Sequence, residues 1–158
     1  MAKVSNLNHA VLYVSDPERS ADFYARAFGF QVVDRIGSNA VFMRAADGEN
    51  HHDLGLFRSN GGAVVPGNTG LYHLAWEVPT IDDLADMARS LAELDALRGM
   101  SDHGVSKSLY GADPDGIEFE VMWRVPRTLW GDFERRAVTM PLDLEGEVRR
   151  FGSRSRAG

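Results

Sequence analysis

His9 and His73 stand at matching points of two similar stretches, Asn8-His9-Ala10-Val11-Leu12-Tyr13-Val14-Ser15-Asp16 and Tyr72-His73-Leu74-Ala75-Trp76-Glu77-Val78-Pro79-Thr80. In a later run, Glu118 and Glu120 alternate with Ile117, Phe119 and Val121, so both carboxylates project from one face of an extended strand. Two neutral imidazoles and one carboxylate can cap one face of Fe(II) or Mn(II), leaving positions open for a bidentate substrate and dioxygen. A single strand histidine is more often structural, and a strand carboxylate is usually the wet side of a half-buried sheet. Equivalent placement in a repeat raises the two histidines above that background.

The elements that must position these groups are legible as local pattern. Residues 7–14 read as an apolar, β-branched strand with His9 inside it. Asp16-Pro17-Glu18 opens a helix, with Asp16 as cap, Pro17 in the first turn and Gly29 as its stop. Strands are expected at 30–36, 39–45 and 52–58. Residues 59–69, rich in Gly, Asn and Pro, read as a linker. The second half repeats the order. A strand over 71–78 holds His73, a helix capped by Thr80 runs to about Leu97, and strands follow at 98–103, 106–112 and 116–123. Asp113-Pro114-Asp115-Gly116 is a turn by composition and joins the last two strands into a hairpin. The fold expected is α+β, with two β-α-β-β-β modules closing a curved mixed sheet around a metal cavity. Residues 1–158 then form a single domain, with module halves at 5–58 and 70–124 and a tail over 125–158. The Arg-rich tail is expected to wrap the surface or serve a dimer, with a short helix near 142–151 and disorder from Ser153 onward.

Composition removes other chemistries. With 158 residues, 44% hydrophobic and 25% charged, the chain can bury a real core. A formal net charge of −6 offers no basic face for nucleic acid. Absence of cysteine excludes thiolate metal sites, disulfides and Cys nucleophiles, and fits a cytoplasmic location. No segment has the ~18–20 apolar residues of a membrane span.

Over residues 5–124 the chain resembles the vicinal oxygen chelate superfamily of glyoxalases, bleomycin-resistance proteins and type I extradiol dioxygenases. In that superfamily a metal is held by a His on the first strand of each module and by a Glu after a Tyr…Asp-Pro-x-Gly turn. The resemblance implies His9, His73 and Glu120 as metal ligands, selecting Glu120 over Glu118 by its distance from Gly116. His51-His52-Asp53-Leu54 resembles the extradiol element that carries an acid/base histidine, with His52 the nearer match. Tyr110, ten residues before Glu120, and His103 resemble the groups that orient substrate and oxygen. Trp76, Phe42, Leu56 and Phe119 are candidate apolar neighbours, though each reads more readily as core. The resemblance thus implies an Fe(II)-dependent dioxygenase, with Mn(II) as the other candidate metal, that opens a catechol-type diol with O2 and assembles as a homodimer. A catechol must lose a proton to chelate, and an imidazole of near-neutral pKa can take and return it.

Two rivals share the fold. One is a resistance protein that sequesters an aromatic antibiotic; an intact donor set argues against it. The other is a glyoxalase-like lyase or isomerase, which uses a fourth protein ligand from the first module. The stretch Leu54-Gly55-Leu56-Phe57 holds no acid there, and Asp53 is the sole candidate. The chain also departs from most extradiol dioxygenases in having one such two-module unit rather than two.

Overall fold

A computed structural model of the chain describes residues 3–4, 6–62, 64–65 and 67–153. The chain divides between Val64 and Val65 into two compact units, within the Gly-rich stretch expected to link the modules. The architecture is α+β.

The first unit runs β1 (Ala10–Val14), α1 (Pro17–Phe28), β2 (Gln31–Ile36), β3 (Ala40–Arg44) and β4 (Leu54–Arg58). Asp16 caps α1 by accepting from the Glu18 amide, and Gly29 ends it in the left-handed region at φ 69°, as the spacing of Asp, Pro and Gly demands. The sheet order is β1-β4-β3-β2, with β1 and β4 parallel and the other pairs antiparallel. Leu12 and Val14 of β1, Val41 and Met43 of β3 and Leu54 and Leu56 of β4 are buried with Phe23 and Tyr24 of α1. Leu56 is therefore core.

The second unit runs β5 (Leu74–Glu77), α2 (Ile81–Glu93), β6 (Leu97–Asp102), β7 (Ser106–Ala112) and β8 (Glu118–Arg124). Its sheet again places first and last strands of the module side by side and parallel. Thr80 and Asp83 close a reciprocal capping box on α2. The helix stops short of Leu97 because Asp95 turns into the left-handed region at φ 52°, freeing Leu97 to begin β6. In β8, Phe119, Val121 and Trp123 are buried while Glu118, Glu120 and Met122 occupy the other, half-buried face, the alternation read from sequence.

The tail is built into this second unit. Two 3₁₀ turns (Arg127–Leu129 and Gly131–Arg135) lead to a short strand β9 (Met140–Pro141), which pairs with Ser101 and Asp102 of β6. Helix α3 (Leu144–Phe151) follows, its Phe151 ring against Trp123. Ser153, expected to be disordered, instead donates backbone and hydroxyl hydrogen bonds to Asp82 at 2.8 and 2.9 Å. Residues 154–158, expected to be disordered with it, lie outside the described residues. Among the described residues no helix is long and apolar enough to cross a membrane.

Candidate metal and catalytic site

Both candidate histidines lie just outside their strands, because β1 and β5 each begin three residues later than the sequence suggests. His9 immediately precedes β1 and His73 immediately precedes β5, so each ring stands at the mouth of its parallel strand pair rather than inside the ladder. The pairing reaches the strand only at Ala10 and Leu74, where the partner strands β4 and β8 come alongside.

In the first unit a polar chain fixes His9. Its Nδ1–H donates to the Asn8 side-chain oxygen at 2.9 Å, and an amide oxygen can only accept, so the neutral ring keeps a lone pair on Nε2. Asn8 in turn donates to Asn50 at 2.9 Å, and Asn50 donates to Asp53 Oδ1 at 2.7 Å. A histidine whose second nitrogen is held in this way is the usual form of a metal ligand. Asn8 and Asn50 escaped the reading of the sequence; the local signal was an Asn directly before the His. Asp53 is fully employed: its Oδ2 accepts from the Ala45 amide at 2.9 Å while Oδ1 holds Asn50. These bonds tie the loop before β4.

His52 lies beside His9, ring centroids 4.6 Å apart, and against Phe42 at 5.0 Å. The preceding loop, not a strand, carries it. Its Nδ1 is 3.1 Å from Nδ1 of His51. Burial, then the neighbouring charges of His9 and His51, lower its pKa from the ordinary 6.5. The ring is thereby kept neutral, the form that can take a proton.

In the second unit four groups line up. His73 Nε2 is 3.1 Å from Glu120 Oε2, with side chains 24% and 13% exposed. Tyr110 is the direct cross-strand neighbour of Glu120, and its hydroxyl lies 3.5 Å from Oε1. His103 Nε2 is 2.7 Å from that hydroxyl. Burial first, and next the charge of Glu120, raise the Tyr110 pKa above its ordinary 10.0, so the phenol stays protonated. His73 Nδ1 is buried without a hydrogen-bond partner among the described residues. Phe119 points into the core on the opposite face of β8, as its core reading has it. Glu77 pairs with Arg124 at 3.1 Å.

Of the residues singled out, the first unit thus brings together His9, His51 and His52, and the second His73, Glu120, Tyr110 and His103. Among the described residues no three His, Asp or Glu side chains form a group ready to hold a metal ion. The donor chemistry nonetheless fits a divalent ion. In the first unit His9 offers an Nε2 lone pair, and in the second His73 Nε2 and Glu120 Oε2 converge as an imidazole nitrogen and a carboxylate.

Residues 6–121 match the Glyoxalase/Bleomycin resistance protein/Dioxygenase superfamily. The chain is 34% identical over 154 residues to a catechol-2,3-dioxygenase of Bacillus subtilis (strain 168), covering 94% of this chain and 53% of that protein. It therefore spans about half the length of that relative. It is 31% identical over 125 residues to the metallothiol transferase FosB of Lysinibacillus sphaericus (strain C3-41), covering 74% of this chain and 81% of that one. A glyoxylase/bleomycin resistance protein/dioxygenase domain from Frankia sp. EAN1pec shares the fold at a TM-score of 0.69 and 22% identity, covering 79% of this chain and 96% of that domain.

Proposed function

The chain belongs to the Glyoxalase/Bleomycin resistance protein/Dioxygenase superfamily, and from that membership we propose that it is an Fe(II)-dependent extradiol dioxygenase that opens a catechol-type aromatic diol with O2. The observation that carries this reading is the line His73–Glu120–Tyr110–His103: a convergent nitrogen–carboxylate pair backed by a protonated phenol and a second imidazole. The similarity to a catechol-2,3-dioxygenase over most of the chain supports it.

In this reading His9, His73 and Glu120 hold the metal, Fe(II) or alternatively Mn(II). When bound, the ion supplies open positions at which the diol and dioxygen are brought together. The neutral His52 ring takes the proton that the diol must shed and later returns it. Tyr110 and His103, hydrogen-bonded to each other, orient the substrate and dioxygen. Phe42 keeps water from the His52 ring. A homodimer, a cytoplasmic location and a part in aromatic catabolism belong to the same proposal.

Similarity to a metallothiol transferase makes metal-assisted transfer the second reading. The engagement of both Asp53 oxygens within its own loop weighs against a glyoxalase-like four-ligand site. Anaerobic loading with Fe(II), followed by a catechol panel and air, tests the proposal. Oxygen uptake and a yellow ring-fission product are expected; metal loading with thiol transfer and no oxygen uptake would favour the rival. His52→Gln should keep the metal and lower turnover by about 100-fold. Loss of metal from this variant would show that His52 is a ligand instead.

A further inference from the structure

We propose that the backbone carbonyl of Val138, in the segment that follows the second β-α-β-β-β module, is a positioning group of the site: it holds neutral His103 with its proton on Nδ1, so that the single proton of Tyr110 goes to His103 and Glu120 keeps its lone pairs. The inference rests on the reading of Tyr110 and His103 as members of the site.

His103 Nδ1 lies 2.8 Å from the Val138 carbonyl oxygen. A carbonyl can only accept, so Nδ1 must carry hydrogen. In the neutral ring Nε2 is then a lone pair, and it faces the Tyr110 hydroxyl at 2.7 Å. The phenol has one proton, and His103 Nε2 at 2.7 Å and Glu120 Oε1 at 3.5 Å both stand in reach to accept it. The shorter bond takes it, since an O–H bond weakens steeply toward 3.5 Å. With the opposite tautomer, Nε2–H would donate to the phenol oxygen and turn the phenol proton onto Glu120. A carboxylate occupied by that proton is a poorer partner for a cation.

The carbonyl is held in place from both sides. Upstream, the Trp130 indole N–H donates to the Val125 carbonyl at 2.7 Å. The Phe133 ring covers Gly104, where a Cβ would come within 2.8 Å of ring carbons and φ is +75°, so only glycine lets the segment lie this close. Downstream, Met140 and Pro141 pair with Asp102 and Ser101, directly beside His103. The segment is thus fastened to β6 at the residue adjoining the imidazole it orients.

The test is the nitrogen spectrum of ¹⁵N-histidine-labelled, metal-free full-length protein at a pH where the rings are neutral, with His103→Gln used to assign the resonances. A proton on Nδ1 of His103 is expected; a proton on Nε2 overturns the proposal. A semisynthetic full-length chain with an ester in place of the Val138–Thr139 amide weakens that one carbonyl as an acceptor and changes no side chain. It should shift the tautomer ratio toward Nε2–H by about fivefold, the value of one ordinary hydrogen bond, whereas Val138→Ala keeps both carbonyl and tautomer. An unchanged ratio in the ester chain also overturns the proposal. Neither readout depends on turnover, so an Nδ1–H ring in a protein that cleaves no catechol would sink the dioxygenase reading and leave this one standing.

Discussion

Tyr110 and Glu120 stand directly opposite each other in the β7–β8 ladder, with the phenol oxygen 3.5 Å from the carboxylate. The turn between them makes that register. Asp113 Oδ1 accepts from the amides of Asp115 and Ile117, each at 2.9 Å, and Gly116 takes φ 82°. A hairpin closed in this way leaves residues ten apart face to face. Tyr110→Phe should retain metal, because the donor atoms are untouched, and lower turnover by about tenfold. Metal titration beside steady-state kinetics checks both halves of the expectation.

The same phenol should mark the alkaline limb of stability. Burial and then Glu120 raise its pKa in the folded chain above 10.0. The unfolded chain therefore loses this proton first as pH rises. The stabilisation is complete below about pH 10 and declines above it. Urea midpoints should fall less steeply above about pH 10 in Tyr110→Phe than in the parent protein; parallel curves would refute the assignment.

His52 works at the other end of the scale. Its lowered pKa, caused first by burial and then by His9 and His51, means that below 6.5 the unfolded chain binds this proton more readily than the folded one. Stability is unaffected above that value and falls as pH drops through it, until the folded ring also titrates. A proton NMR titration should place the His52 midpoint below 6.5, and His51→Gln should move it upward. A midpoint at or above 6.5 would exclude the neutral-base role at low pH.

Lys107 carries a buried charge away from the candidate site. Its side chain is 5% exposed, with Nζ 2.5 Å from Asp102 and 3.6 Å from Glu147 of α3. Lys107→Met would strand both carboxylates and should destabilise by about 3–5 kcal/mol. Adding Asp102→Asn and Glu147→Gln to it should recover much of that loss in chemical denaturation.

Gly111 is required for a close approach rather than for its backbone angles. A Cβ there would lie 2.5 Å from the Phe119 ring and 2.7 Å from the Ala96 carbonyl. Gly111→Ala should destabilise by about 1–3 kcal/mol, lowering the melting temperature by roughly 2–4 °C for each kcal/mol. Thermal denaturation followed by circular dichroism measures it.

Much of this protein is written in short-range pattern. Asp16, Pro17 and Gly29 bound α1, Thr80 and Asp83 open α2, and the alternation of Glu118, Phe119, Glu120 and Val121 assigns the faces of β8. Those signals act within a few residues, where caps and period-2 alternation decide the outcome. The equivalence of His9 and His73 was legible for the same reason, because each module repeats its own local code.

What only the tertiary structure decided depends on partners far along the chain. That His9 and His73 precede their strands follows from where β4 and β8 begin to pair, not from local apolarity. Asn50 reaches Asn8 across 42 residues, and Val138 reaches His103 across 35. The tail, whose short helix near 142–151 was legible in sequence, also supplies a strand and the carbonyl against His103, because β6 offers it an open edge. Residue types thus marked the candidate donors and the acid/base candidates. The tautomer of each ring was set by hydrogen bonds: for His103 by a carbonyl that only the path of the folded chain brings near, and for His9 by its own neighbour Asn8, which Asn50 holds from afar.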